Sequence, residues 1–404
     1  MPGKRQTLAL SLILCALTFG LHLRVAAQVR DSTRATVRYG DKGFEFRTAD
    51  DLFLLQIQGR LQFRFATPGD TDPITYDDFV GDPKPVFKIN RARLKMGGHA
   101  FQPWLKYYFE YELSQSNLLD FRLMIEKWEW LSFKAGQWKV EFTRERFISS
   151  GEQQLVERSL INRAFTVDRQ QGLEVYGHLK GDGIADVNYW AAVLTGTGRG
   201  NTKNDDSNLM YFGRLQWNFL GREVPFEGSD LKISPKPAAI VAVAAVTNRS
   251  PYTRFSQAGG GSLEGFEDGA PGQYRVNQLN IETAFKYSGF SWQSEMHWKN
   301  IIDKQNNDQA TLLHGYYVQA GYLFHQAFRW WPKPLELAVR HASYRPKVDL
   351  DDDEQQRETS FDLNWFFKGH KNKLTAEASY FNFLNDDLDF TKGWRYRIQW
   401  DISL

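Results

Sequence analysis

Basic side chains recur at even spacings in two neighbouring stretches of the chain. Arg60 and Arg64 lie four residues apart, and Arg91, Arg93 and Lys95 follow each other at intervals of two. Guanidinium groups match the geometry of oxyanions such as phosphate through paired hydrogen bonds, and a passage lined by cations favours anions. These residues could therefore attract and bind small anions, provided that the fold places them on one face.

The cations follow the alternation expected of β-strands. From Gln56 to Phe65, polar side chains occupy even positions and apolar or small ones occupy odd positions. Successive side chains of a strand point to opposite faces, so residues 53–65 and 87–100 predict two strands with one basic face. The same alternation adds Lys106 from residues 105–113 and Lys139 from residues 131–142.

The end of the chain shows what the opposite face could be. Residues 394–404 alternate apolar and polar side chains, with aromatic residues near both ends of the apolar face. Strands that face lipid on one side and water on the other are typical of transmembrane β-barrels. About sixteen such strands can be traced, the least clear being Ala238–Val246, which is apolar on both faces. We therefore predict an all-β fold, an antiparallel transmembrane β-barrel of about sixteen strands over residues 52–404.

The first 27 residues have the features of a secretory signal peptide. Lys4 and Arg5 precede a short apolar run, and small residues precede Gln28. The apolar run is short for a transmembrane helix, and Leu14 before Cys15 disfavours a lipoprotein signal. We predict cleavage after residue 27, a periplasmic segment over residues 28–51, and location in the outer membrane of a Gram-negative cell.

Bulk charge gives little indication of a partner. The predicted signal peptide contains three of the 50 Lys and Arg residues and none of the 48 Asp and Glu residues, so the remainder carries 47 against 48. A nearly neutral chain does not indicate nucleic-acid binding. The single cysteine, Cys15, also lies in the signal peptide, so we expect no disulfide bonds.

A long connection over residues 143–171 is the predicted constriction of the barrel. Its residues 151–165 have the apolar spacing of a short amphipathic helix. A barrel of sixteen strands encloses an aqueous channel, which a long third loop can narrow by folding inward. The loop would bring Arg158, Arg163 and Arg169 towards the basic row.

The same residues allow a second interpretation. The basic side chains could pair with inward-facing acids such as Glu110, Glu112, Glu141 and Glu174, and serve only to solvate the lumen. Both interpretations remain open at this point, because the chain is nearly neutral.

Several segments resemble one known family. Gly59-Arg60-Leu61-Gln62 is similar to its first-strand motif, and Asn90-Arg91-Ala92-Arg93-Leu94 to its Arg-Arg-Ala-x-Leu segment, with Asn90 in place of one arginine. Residues 136–142 resemble its Gly-Gln-Phe-Lys-x-Pro-Phe motif, with Glu141 where proline is usual. Further similar segments cover residues 172–175, 211–215, 335–340 and 364–374. The family is that of the phosphate-selective porins O and P.

This resemblance implies a trimeric outer-membrane porin in a lipid bilayer, passing phosphate or related small anions without a cofactor. Of the predicted lumen cations, Arg91 coincides with a family arginine. The departure at Asn90 leaves a general, non-selective porin as an alternative. A barrel that serves as an adhesin or as the partner of a larger complex is a further alternative, since long outer loops suit binding.

Features of enzymes and metal proteins are absent from the sequence. No Gly-x-Ser-x-Gly motif occurs, and the eight histidines do not pair at metal-ligand spacing. The acidic run at residues 349–354 lacks the glycine and ligand spacing of a calcium loop, so a solvated outer loop is the favoured interpretation and cation binding the alternative. We predict no catalysis, no cofactor and no metal site.

Overall fold

The computed structural model describes residues 35–74, 84–201, 203–205, 207–256, 260–348, 354–384 and 390–404. The predicted signal peptide and residues 349–353 of the acidic run lie outside these ranges. None of the helices in the described ranges is long and apolar enough to cross a membrane.

Sixteen antiparallel strands of the described chain form a closed barrel. Each strand pairs with the next, and the last strand pairs with the first, with Trp400 opposite Phe63. The strands are β3 (Leu54–Thr67), β4 (Val86–Ala100), β5 (Gln102–Glu112), β6 (Asn117–Trp128), β7 (Leu131–Lys139), β8 (Arg169–Lys180), β9 (Asp186–Leu194), β10 (Met210–Trp217), β11 (Ala238–Ser250), β12 (Tyr274–Tyr287), β13 (Phe290–Asp303), β14 (Gln309–Tyr322), β15 (Leu335–Arg345), β16 (Gln355–Phe366), β17 (Asn372–Leu384) and β18 (Phe390–Ser403). The predicted strand number and antiparallel closure are confirmed.

A hairpin of two further strands, β1 (Ala35–Gly40) and β2 (Gly43–Thr48), precedes the barrel. β2 pairs with the first part of β3, placing Phe44 opposite Ile57, whereas β18 pairs with its second part. The backbones of Gly59 and Leu404 exchange hydrogen bonds of 3.2 and 2.9 Å where β18 ends. β2 therefore takes the place beside β3 that β18 leaves open after its last residue.

The two faces of the barrel differ in polarity as the alternation predicts. On β18, Trp394, Tyr396, Ile398 and Trp400 are 46–50% exposed, whereas the intervening residues Arg395, Arg397, Gln399 and Asp401 are at most 6% exposed. The apolar side chains lie on the outer face, and the polar side chains lie inside, among other polar groups. Hydrophobic surface on the outside of a closed sheet is favourable where the surroundings are lipid.

Connections differ in length between the two rims. One rim, the long-loop rim, carries the connections 68–85, 140–168, 195–209 and 251–273. The opposite rim, the short-turn rim, carries tight turns such as 129–130 and 288–289. Residues 218–237 between β10 and β11 are a long connection at the short-turn rim.

Candidate functional site

Two cavities on the polar face contain most of the predicted basic residues. The long-loop cavity, of about 660 Å³, is lined among others by Arg91, Arg93 and Arg158. The short-turn cavity, of about 850 Å³, is lined among others by Arg60 and Lys95. Except for Arg64, the predicted basic residues thus line one or the other of these two cavities, one towards each rim.

The β7–β8 segment, residues 140–168, contributes to both cavities. Val156 donates its backbone N–H to Glu377 Oε2 of β17 (3.1 Å), and Arg60 of β3 donates to Ser149 Oγ of the segment (2.7 Å). Further hydrogen bonds join the segment to Lys299 of β13, Gln319 of β14, Arg340 of β15 and Asn364 of β16. One connection therefore contacts inward-facing side chains on several sides of the barrel.

The internal structure of this segment differs from the prediction. The helix predicted over residues 151–165 is wrong, because the segment forms only two single-turn helices, α1 (Arg144–Phe147) and α2 (Asn162–Phe165). Backbone N–H groups that a helix would use internally are instead donated to side chains, as Leu160 donates to Glu358 Oε2 (2.8 Å). The bounds also shift from 143–171, since Arg169 is the first residue of β8 and not part of the loop.

Two of the predicted arginines converge on one carboxylate. Arg64 Nη2 and Arg91 Nη2 lie 2.6 and 2.9 Å from Glu157 Oε1. Arg64 also contacts Asp70 of the β3–β4 connection at 3.0 Å, and its side chain is 2% exposed. Arg91 lines the long-loop cavity, whereas Arg64 lies in the barrel wall and lines neither cavity.

Other predicted arginines are paired with acids. Arg93 lies 2.8 Å from Glu110 and 2.7 Å from Glu112 across the β4–β5 pair, as the second interpretation of the sequence anticipated for these two acids. Glu141 and Glu174 pair with Lys134 instead. Arg169 pairs with Asp120, and Arg163 pairs with Glu264.

Lys139 and Arg158 hold the end of α1. Lys139 Nζ donates to the carbonyl oxygens of Arg146 and Phe147 at 2.9 and 2.8 Å. Arg158 Nη2 donates to those of Arg146 and Ile148 at 3.2 and 2.9 Å. Cations are favourable at the C-terminal carbonyls of a helical turn. These two residues therefore fix the loop and also line the long-loop cavity.

The short-turn cavity contains the remaining predicted residues. Lys106 pairs with Glu126 at 2.5 Å, and Arg60 donates to hydroxyl groups of Ser149 and Ser403. Lys95 has no hydrogen bond or ion pair with any residue in the described ranges. Its ammonium group is therefore available to an anion that enters this cavity.

Sequence reasoning missed three arginines of the long-loop cavity. Arg146 forms hydrogen bonds of 2.9 and 2.6 Å with Asp168. Arg199 and Arg254 line the cavity without a side-chain ion pair in the part of the chain that the structure describes. They lie in the long connections 195–209 and 251–273, where no strand alternation indicates which way a side chain points.

Positive charge predominates in both cavities. Among their described lining residues, nine Lys and Arg face four Asp and Glu in the long-loop cavity, and eight face four in the short-turn cavity. Burial raises the pKa of Glu157, but Arg91 and Arg64 outweigh it and hold that pKa well below its usual value. Arg146 and Arg169 likewise lower the pKa of Asp168. Both carboxylates are therefore charged at neutral pH. The excess of nine cations over four anions in the long-loop cavity already includes their negative charges.

A family model described as "Phosphate-selective porin O and P" matches residues 71–387. This match spans most of the barrel. The chain belongs to the phosphate-selective porin O and P family. No curated protein sequence matches the chain.

Several solved structures share the fold of this porin. The anion-selective porin from Comamonas acidovorans is 8% identical, with 86% of this chain and 98% of that chain covered and a TM-score of 0.56. The outer membrane channel DcaP of Acinetobacter baumannii is 10% identical, with 87% and 97% covered and a TM-score of 0.55. In-vitro folded OmpT of Vibrio cholerae, in its trimer form, is 10% identical, with 87% and 99% covered and a TM-score of 0.50. At these identities the likeness supports the fold alone.

Family membership and fold together identify an outer-membrane porin channel. The family expected from the sequence motifs is confirmed.

Within the porin, the departure from the family motif at Asn90 coincides with a β-bulge, since Arg91 pairs with Gln62 and Ile89 pairs with Phe63. Asn90 is the extra residue of that bulge, so its side chain and that of Arg91 can both face inward.

The β10–β11 segment of the porin, residues 218–237, supports the β7–β8 segment from the short-turn rim. Gly228 N donates to Glu152 O (2.9 Å), and the ring of Phe226 meets that of Phe147 edge to face at 4.7 Å. Arg144 donates to the carbonyl oxygen of Val224 (3.1 Å). The two segments thus contact each other inside the barrel, where the sequence predicted only the loop over residues 143–171.

Proposed function

We propose that this porin is a passive diffusion channel for small anions, with phosphate among them. The observation that carries the proposal is the excess of Lys and Arg in both cavities, nine against four and eight against four among the described lining residues. Fixed cations in a water-filled passage raise the local concentration of anions and exclude cations. The anion-selective Comamonas porin has the same fold and agrees with this proposal.

In this proposal the β7–β8 segment is the constriction. Its contacts with β3, β13 and β14–β17 support a position across the lumen. An ion would pass from the long-loop cavity, past residues 149–158, into the short-turn cavity. Arg199, Arg254 and Lys95, which have no ion pair within the described residues, would attract it on the two sides.

The signal peptide, the orientation and the assembly complete the proposal. Cleavage after residue 27 would release the mature chain, with the long-loop rim outside and the short-turn rim in the periplasm, as bacterial barrels are arranged. A trimer is supported by the family and by the trimer form of OmpT.

A general porin is the second candidate. The ion pairs of Arg64, Arg93, Arg163 and Arg169 favour it, because a paired cation attracts anions less than a free one.

Planar-bilayer recordings of the purified protein test the proposal. In a KCl gradient we expect a zero-current potential close to that of chloride. Phosphate added to one side should reduce the chloride current if it binds within the channel. A potential close to that of potassium would refute anion selectivity, and a potential near zero without inhibition by phosphate would establish the general porin.

A further inference from the structure

The Glu157 side chain of the β7–β8 segment has no role in the proposed function. Its carboxylate accepts hydrogen bonds from Arg64 Nη2 (2.6 Å), Arg91 Nη2 (3.1 Å) and Asn90 Nδ2 (3.3 Å). It lines the long-loop cavity, and its side chain is 17% exposed. An anionic group of the protein thus occupies donors that a passing oxyanion could otherwise use.

The donors are held in place by the barrel wall and not by Glu157. Arg64 Nε donates to Gln399 Oε1 of β18 (2.9 Å), and Arg91 Nη1 donates to Gln62 Oε1 of β3 (2.8 Å). The bulge at Asn90 turns two consecutive side chains towards the same carboxylate, which a regular strand does not allow. The group of donors is therefore preorganised and would persist if the carboxylate left.

The loop also has anchors that do not involve the carboxylate. Arg340 Nη1 donates to the backbone oxygen of Glu157 (2.8 Å), and Val156 N donates to Glu377 (3.1 Å). Removing the carboxylate charge should therefore leave residue 157 where it is. The charge-assisted hydrogen bond that Arg91 now makes with it would become available to an ion in the long-loop cavity.

We propose that Glu157 is a tethered carboxylate that competes with permeating oxyanions for Arg91 and Asn90, which line the long-loop cavity beside it, and so sets the strength of oxyanion binding in the channel. This inference rests on the proposed anion pathway. With the carboxylate in place, an oxyanion must displace it and is held weakly. Without it, the same donors bind carboxylate or phosphate groups directly.

Glu157→Gln tests this idea, with Glu152→Gln as the matched control. Glu152 lies on the same segment and lines the short-turn cavity, and its carboxylate makes no hydrogen bond or ion pair in the described ranges. Both variants remove one negative charge from the lumen. Half-inhibition of the chloride current by phosphate, and separately by acetate, is measured for each variant in planar bilayers.

We expect Glu157→Gln to lower the half-inhibiting phosphate concentration about tenfold, the effect of one charge-assisted hydrogen bond gained, and Glu152→Gln to leave it unchanged. Inhibition by acetate as well as phosphate would identify a general oxyanion site, and inhibition by phosphate alone a phosphate site. Adding Arg91→Gln to Glu157→Gln should abolish the gain.

Two results would overturn the inference. An equal gain in Glu152→Gln would mean that only net charge matters. Larger chloride and potassium currents without stronger inhibition would mean that Glu157 acts as a clamp on the loop. Glu157→Ala gives the same comparison if the glutamine amide itself occupies the donors. Cation selectivity of the unmodified channel would refute the proposed function, whereas the inhibition by oxyanions in Glu157→Gln is measured independently of that result.

Discussion

Charge reversal of Arg199 and Arg254 in the long-loop cavity is the sharpest perturbation of selectivity. Arg199 and Arg254 line that cavity and hold no carboxylate within the described ranges, so Arg199→Glu with Arg254→Glu breaks no ion pair there. The described lining would change from nine cations and four anions to seven and six. The net charge of the lining thus falls by four units.

The size of the effect follows from the dimensions of the cavity. A cavity of about 660 Å³ places its lining charges about 6 Å from an ion at the centre, where each contributes about 0.7 kcal/mol in water. Screening at about 0.1 M salt halves this contribution. Four charge units then cost an anion about 1.5 kcal/mol, or about a tenfold loss of occupancy. Cations gain by the same amount.

The assay is the zero-current potential in a KCl gradient, recorded with the unmodified and the doubly substituted channel. We expect the potential to move from the chloride side towards the potassium side. Arg275→Glu with Arg329→Glu is the control, because both residues are exposed and line neither cavity. An unchanged potential in the Arg199 and Arg254 variant would refute the view that this cavity governs selectivity, and an equal shift in the control would assign the effect to overall charge.

Further predictions concern pH, folding and the second segment. Burial raises the pKa of Glu145 in α1 to about 7, so the stability that its protonated form contributes is fully present below pH 4.5 and lost as pH rises through 7. Thermal unfolding in detergent should therefore show a decrease in stability over that window, which Glu145→Gln should remove, whereas an identical pH profile in the variant would contradict this assignment. Arg93→Gln removes the cation that Glu110 and Glu112 share and should cost about 3 kcal/mol. Adding Glu110→Gln should recover part of this loss, and additive losses would argue against the pair. Phe226→Ala removes the edge-to-face contact with Phe147 and should increase open-channel current noise without changing selectivity, so an unchanged noise level would show that the β10–β11 segment does not support the loop.

Strand alternation predicted the wall of the barrel because successive wall residues face the outside and the interior in turn. A side chain such as Trp400 faces the outside and its neighbour Gln399 faces the interior, so the two-residue period carries the information locally. The order of the family motifs along the chain then indicated the family, which the family model confirms. The strand Ala238–Val246, apolar on both faces, is part of β11, which continues to Ser250.

The interior could not be predicted in the same way, because its contacts are made between distant parts of the chain. The predicted helix over residues 151–165 failed since Val156 and Leu160 donate their N–H groups to acids on β17 and β16. Ile161 and Phe165 of this segment pack in a buried hydrophobic cluster, whereas the backbones of Val156 and Leu160 bind acids of the wall. The amphipathic spacing reflects these two kinds of contact. It does not indicate a helix with internal hydrogen bonds.

Contacts between distant parts of the chain also decide which lumen cations are paired with acids. Whether a lumen arginine is free depends on the register of strands and on loops that approach from either rim, and one bulge at Asn90 decides which side chains meet Glu157. The predicted basic row is therefore a scaffold in which Arg64, Arg91 and Arg93 are largely neutralised. The excess charge of the long-loop cavity includes Lys139 and Arg158, which bind carbonyl oxygens, and Arg199 and Arg254 of the long connections, which have no ion pair within the described residues. A channel built in this way can change its preference for anions by substitutions in loops, while the paired residues of the wall keep the barrel folded.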